Sequence, residues 1–91
     1  MASTLPNDFE VAVKIYNYGI KEEPVWFTKL VQDFDREGGM SRMTVSRNID
    51  KLFDLGIISG DWERVDGRWV RTFKISGEAT QLIRKIAEEQ R

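Results

Sequence analysis

The sequence predicts a mainly α fold with one small β-hairpin, and three observations carry that prediction. Residues 41–55, SRMTVSRNIDKLFDL, place their apolar side chains at helical spacing. Residues 57–75 hold two alternating runs joined by Asp66-Gly67, the dipeptide of a tight hairpin turn. Apolar residues recur at helical spacing before and after these stretches, without a run approaching the ~18 residues of a membrane span. A chain of 91 residues then suits a single domain, 1–91, with a modest core.

Residues 1–6 are expected to be a frayed lead-in. The first helix runs from Asn7 or Asp8 to Tyr18, because Phe9, Val13, Tyr16 and Ile20 share one stripe and Gly19 offers a stop. Phe9 and Tyr16 serve either the core or a dimer contact. A polar link, 20–23, leads to Pro24, and proline suits the first turn of a helix. The second helix is therefore expected over 24–35, with Val25, Phe27, Leu30, Val31 and Phe34 apolar. Trp26 lies off that stripe, as a half-exposed packing residue or as part of a partner surface. Residues 36–40, with Gly38 and Gly39, form the turn into Ser41.

The third helix has chemistry at both ends. The Ser41 hydroxyl suits an N-cap, and Gly56 suits the left-handed position just past Leu55. At 100° per residue from Val45, Ile49 and Leu52 fall within about 40° and Phe53 within about 80°, which makes one buried stripe. Met43, Arg47, Asp50, Lys51 and Asp54 lie on the far side, with Thr44 and Ser46 on the flanks.

A type I′ turn at Asp66-Gly67 sets the hairpin register. Val65 then faces Arg68, Arg64 faces Trp69, Glu63 faces Val70, and Trp62 faces Arg71. Alternation puts Ile58, Trp62, Arg64, Trp69, Arg71, Phe73 and Ile75 on one side. That largely aromatic side is expected to pack on the helices, with Arg64 and Arg71 in cation–π contact with the indoles. Asp61, Glu63, Val65, Arg68, Val70, Thr72 and Lys74 take the other side.

The last helix, 77–90, starts after Ser76 as N-cap, with Glu78 favourable to the helix dipole. Ala79, Leu82, Ile83 and Ile86 make its stripe. It either folds back on its own domain or pairs with a second copy. A helix-turn-helix over 24–55, a wing over 57–75 and a C-terminal helix add up to a winged helix-turn-helix: a three-helix core, a two-stranded wing and a terminal helix.

The outer face of the third helix has a workable set for a DNA major groove. Arg47 and Lys51 are four apart and project together. Ser41, Arg42, Thr44 and Ser46 add donors near the helix N-terminus, and Met43 suits a thymine methyl. The same residue types also make an ordinary solvated face, and Asp50 and Asp54 there repel phosphate. At the wing tip Arg64 and Arg68 flank the turn, where a wing meets a minor groove or a phosphate. Arg71 either joins them or pairs with a carboxylate.

The run TVSRNIDKLFDLGII, the hairpin, and then FKISGEA resemble winged-helix regulators of the MarR, ArsR and PadR kind. The matching pieces are Thr44-Val45-Ser46-Arg47, Leu52 through Gly56-Ile57, and Ser76-Gly77-Glu78. The hairpin with GRWVR is similar to archaeal members. The resemblance covers most of the chain, roughly residues 8–91. It implies that 41–51 reads DNA, that 64–68 is the wing contact, and that terminal helices build a two-fold homodimer. It leaves any small-molecule effector open. The departures from the pattern are the mild net acidity and the two aspartates.

Composition narrows the alternatives. The formal net charge is −1 and the pI about 5.4, unlike a polybasic protein. Residues 41–75 nevertheless hold seven basic and five acidic side chains, against four and seven in residues 1–40. There is no cysteine and no histidine, which excludes disulfides, thiol catalysis, zinc fingers and histidine relays. No calcium-type loop, phosphate loop or nucleophile–base set stands out, so neither an enzyme nor a cofactor is expected. The first residues lack the basic start and apolar core of a secretory signal, so a cytoplasmic protein is expected. The expected function is therefore a DNA-binding transcriptional regulator. The alternative is a winged-helix module for protein–protein contact in a larger assembly, favoured by the near-zero charge and the surplus tryptophans.

Overall fold

The computed structural model describes residues 5–90. The expected lead-in therefore lies partly outside the described residues. The order is α1 (Asn7–Ile20), α2 (Phe27–Arg36), α3 (Arg42–Asp54), β1 (Ile58–Val65), β2 (Arg68–Ile75), a 3₁₀ turn (Gly77–Ala79) and α4 (Thr80–Glu89). Four helices and a two-stranded antiparallel hairpin make a mainly helical molecule, as the periodicities predict.

α1 lies against α3, α4 and β2, and the core forms where these elements meet. Val11, Ala12 and Ile15 of α1 are buried there with Leu30, Phe34, Val45, Ile49, Leu52, Ile58, Phe73 and Ile83. The deep stripe of α1 is thus not the expected one. Phe9, Val13 and Tyr16 are only half-buried, and Ile20 is exposed. They occupy a flank of the helix, beside the fully covered Val11, Ala12 and Ile15.

α1 also runs past Gly19, its expected stop. The stop is Glu22, with φ +57°. The Glu22 N–H donates to the Gly19 carbonyl and the Glu23 N–H to the Tyr18 carbonyl, each at 3.0 Å, which is the paired closure of a Schellman motif. α3 closes in the same way at Gly56, with φ +73°: Gly56 N–H to Phe53 O at 3.0 Å and Ile57 N–H to Leu52 O at 2.9 Å. Glycine takes this left-handed position without steric cost, whereas Glu22 carries a Cβ there.

α2 starts later than the proline suggests. Val25 and Trp26 are extended instead: the Phe73 N–H donates to the Val25 carbonyl at 3.0 Å, and Trp26 bridges Thr72. This isolated bridge fastens β2 to the helical body, and Val25 is buried beside it. The bonds that hold it come from a segment more than 40 residues away, so local spacing does not reveal it. Trp26 itself is half-buried, with the Lys29 ammonium 4.9 Å from its ring.

The hairpin has the expected register throughout, from Ile58↔Ile75 to Val65↔Arg68. Asp66 and Gly67 have φ +51° and +79°, the two positive values a type I′ turn requires. Only the basal half of the aromatic face packs on the helices. Ile58 and Phe73 are buried there, and Phe53 meets Phe73 edge-on at 5.8 Å between ring centres. Trp62 and Trp69 are each 63% exposed, so the expectation that this whole face packs is corrected. The hairpin reaches beyond the helices, which leaves its distal half nothing to pack on.

The entry to α4 also departs from expectation. The Ser76 side chain makes no cap; its carbonyl accepts from the Ala79 N–H and the Thr80 hydroxyl, both at 3.0 Å. Ala79, Ile83 and Ala87 are the buried positions, Ile86 is half-buried, and Leu82 is 52% exposed.

Candidate nucleic-acid interface

The stripe Val45, Ile49 and Leu52 holds α3 in the core, as its spacing predicts, and fixes which side chains face outward. The Ser41 hydroxyl accepts from the Thr44 N–H at 3.3 Å and lies 3.0 Å from the Thr44 hydroxyl. These two side chains therefore cap the helix first, and their spare capacity is what a ligand would meet. Arg42 lays its guanidinium over the Phe27 ring at 5.2 Å, which orients it against α2. Met43 is 63% exposed, and Arg47 stands exposed one turn further on. Arg47 makes no ion pair among the described residues.

Lys51 does not project freely beside Arg47. It lies on the flank facing α1 and pairs with Asp8 at 3.0 Å. Burial alone would raise the Asp8 pKa. The Lys51 hydrogen bond and charge, together with the Phe9 N–H, outweigh it and hold the carboxyl below its ordinary 3.8. The opposite flank of α3 faces the hairpin. There Ser46 is half-buried and lines a shallow depression with Phe27, Asp50, Phe53 and Arg71. Arg71 rests over the Phe53 ring at 5.3 Å, so the carboxylate partner considered from sequence is replaced by an aromatic one.

At the wing, Arg64 and Arg68 are exposed, and neither is ion-paired among the described residues. The expected indole contacts of Arg64 and Arg71 are not made: Arg71 lies over Phe53 instead, and Trp62 and Trp69 stand exposed. The structure thus puts Met43 and Arg47 on one outward face. It places Lys51 and Ser46 on opposite flanks and leaves the tip arginines separate. Sequence reasoning missed the exposed tryptophans. The available signal was the pair of charged side chains, Arg64 and Arg71, that interrupts their side of the hairpin. Among the described residues no group of three or more acidic side chains could hold a metal ion, and no helix is long and apolar enough to cross a membrane.

No protein-family model matches this sequence, and no curated protein does. Solved structures match in shape. The circadian clock associated protein Pex from Anabaena superposes with a TM-score of 0.70 at 21% identity, over 93% of this chain and 76% of that one. ZitR from Lactococcus lactis gives 0.70 at 14% identity over 99% of this chain, which spans 57% of ZitR. A PadR family transcriptional regulator from Eggerthella lenta gives 0.64 at 14% identity, over 91% and 70% of the two chains. With its helix-turn-helix, its two-stranded wing and its terminal helix all in place, the chain has the winged-helix fold of these proteins.

Proposed function

We propose that this protein is a DNA-binding transcriptional regulator that works in the cytoplasm by binding alone, without a catalytic step. α3 enters the major groove, and the hairpin touches the backbone or minor groove. The observation that carries this reading is Arg47, an exposed and unpaired guanidinium on the outward face of a core-anchored, capped helix that a wing follows directly. The fold shared with a protein described as a transcriptional regulator supports it. In this docking Arg47 reads a guanine edge or a phosphate, and Met43 meets a thymine methyl. Ser41, Arg42, Thr44 and Ser46 contribute contacts to the backbone. Arg64 and Arg68 hold the flanking strand.

Lys51 reaches phosphate only by exchanging Asp8, so its contribution is smaller than that of Arg47. Asp50 and Asp54 oppose phosphate and restrain non-specific binding. A homodimer through α4 suits this role, since two copies of α3 then meet half-sites about one helical turn apart. The exposed Leu82 supplies apolar surface for it.

Fluorescence anisotropy against a pool of host promoter DNA, at low and near-physiological salt, tests the reading. Saturable binding that weakens steeply with salt is expected. Arg47→Ala should lose about 1–3 kcal/mol of specific affinity while remaining folded. Absence of duplex binding even at low salt would sink the proposal, and wild-type affinity in Arg47→Ala would displace the contact from α3.

A further inference from the structure

The distal half of the hairpin carries a face of which the groove reading uses only Arg64. Trp62, Arg64, Trp69 and Arg71 share one face, with Trp62 paired to Arg71 and Arg64 paired to Trp69. Indoles and guanidiniums therefore alternate in a two-by-two block. Both indoles are 63% exposed, and neither engages in a cation–π contact among the described residues. No carboxylate from either strand stands on this face. Asp61 and Glu63 point to the other side, where Asp61 accepts from the Trp62 N–H at 2.9 Å and Glu63 from the Thr72 hydroxyl at 2.5 Å. The block is also anchored: Arg71 rests on Phe53, and Phe53 packs edge-on against Phe73.

These features select one kind of occupant. An apolar protein surface would cover the indoles but strip water from unpaired guanidiniums. A plain polyanion would satisfy the arginines and leave the indoles in water. A nucleic-acid strand with unstacked bases supplies flat π faces and phosphates together. A duplex hides those base faces within its own stack. We propose that the distal wing face is a stacking platform for single-stranded DNA, with one base on each indole and the adjoining phosphates held by Arg64 and Arg71. This surface lies outside α3 and does not depend on α3 entering a groove.

The test uses the full chain at low salt with three labelled probes of equal length: a thymidine 12-mer, an abasic deoxyribose-phosphate 12-mer and a duplex 12-mer. The thymidine strand should bind and quench tryptophan fluorescence, and the abasic strand should bind at least about tenfold more weakly. Trp62→Ala and Trp69→Ala should each weaken thymidine-strand binding about fivefold to a hundredfold, the range expected for one stacked base. Trp62→Phe should keep most of the affinity. Arg47→Ala should leave it unchanged. Equal binding of the abasic strand would reduce the platform to a charge effect and overturn the proposal. So would unchanged affinity in both tryptophan-to-alanine variants, or no binding of the thymidine strand. Loss of duplex binding alone would count against the groove reading and leave this one standing.

Discussion

The two halves of the hairpin make an instructive pair, because they share one ladder and one alternation and yet have opposite fates. In the basal half, Ile58, Thr72 and Phe73 are buried, and Phe73 meets Phe53 of α3. Val25 and Trp26 close the outer edge of β2 at the same level. In the distal half, Trp62 and Trp69 are larger and more apolar than Thr72 and still face solvent. Hydrophobicity alone therefore does not rank burial here. What differs is coverage: α3 and the 25–26 segment reach the base of the hairpin and stop short of its tip. The base is structural, and the tip is left free to touch something else.

Substitutions can break or sharpen this contrast. The largest effect is expected at the base. Phe73→Ala removes a buried ring between α3 and the core and should cost about 3–5 kcal/mol in urea unfolding. A loss below about 1 kcal/mol would mean that the base is no better packed than the tip. Gly67→Ala comes next. With φ +79°, an added Cβ should cost about 1–2 kcal/mol. If the tip is only loosely coupled to the core, amide exchange at Val65 and Arg68 should speed up well before the global transition moves. Trp62→Ala should change global stability by no more than about 0.5 kcal/mol, as expected for an exposed side chain. A large loss there would show that the indole packs in solution.

A comparably small effect lies on the flank of α3 away from the hairpin. Asp8 has a folded pKa below its ordinary 3.8, so its link to Lys51 stabilises the fold above that pH. The contribution fades as pH falls through the lowered value. Lys51→Met should therefore cost at most about 1 kcal/mol at pH 7, because Lys51 is largely exposed. The gap to the wild type should close in acid unfolding below pH 3.8. A gap that persisted there would assign the cost to the lost lysine stem rather than to the ion pair.

The same contrast explains what was legible. The turn Asp66-Gly67 fixed every cross-strand pair, because a two-residue type I′ turn leaves the register no freedom. Ser41 and Gly56 bounded α3 through hydrogen bonds made within a few residues. The stripe Val45, Ile49 and Leu52 then placed Arg47 outward, so the orientation of the candidate site was readable as well. Its detail was not. Lys51 is claimed by Asp8, a residue 43 positions earlier, and no local pattern announces that pair. Val25 left the helix because β2 offered it a hydrogen bond, and Pro24 was equally compatible with either outcome. The deep stripe of α1 passed to Val11, Ala12 and Ile15 because three elements converge on that side.

By itself the sequence determined the element types, the turn, the register and the phase of α3. Each is set by backbone geometry and hydrogen bonds spanning a handful of residues. Only the tertiary structure decided which apolar faces are covered, where α2 begins, which cation is free, and that two tryptophans stand beside unpaired arginines on an open face. Those outcomes depend on how far distant elements reach over one another, and that reach is a property of the packed chain rather than of any window within it.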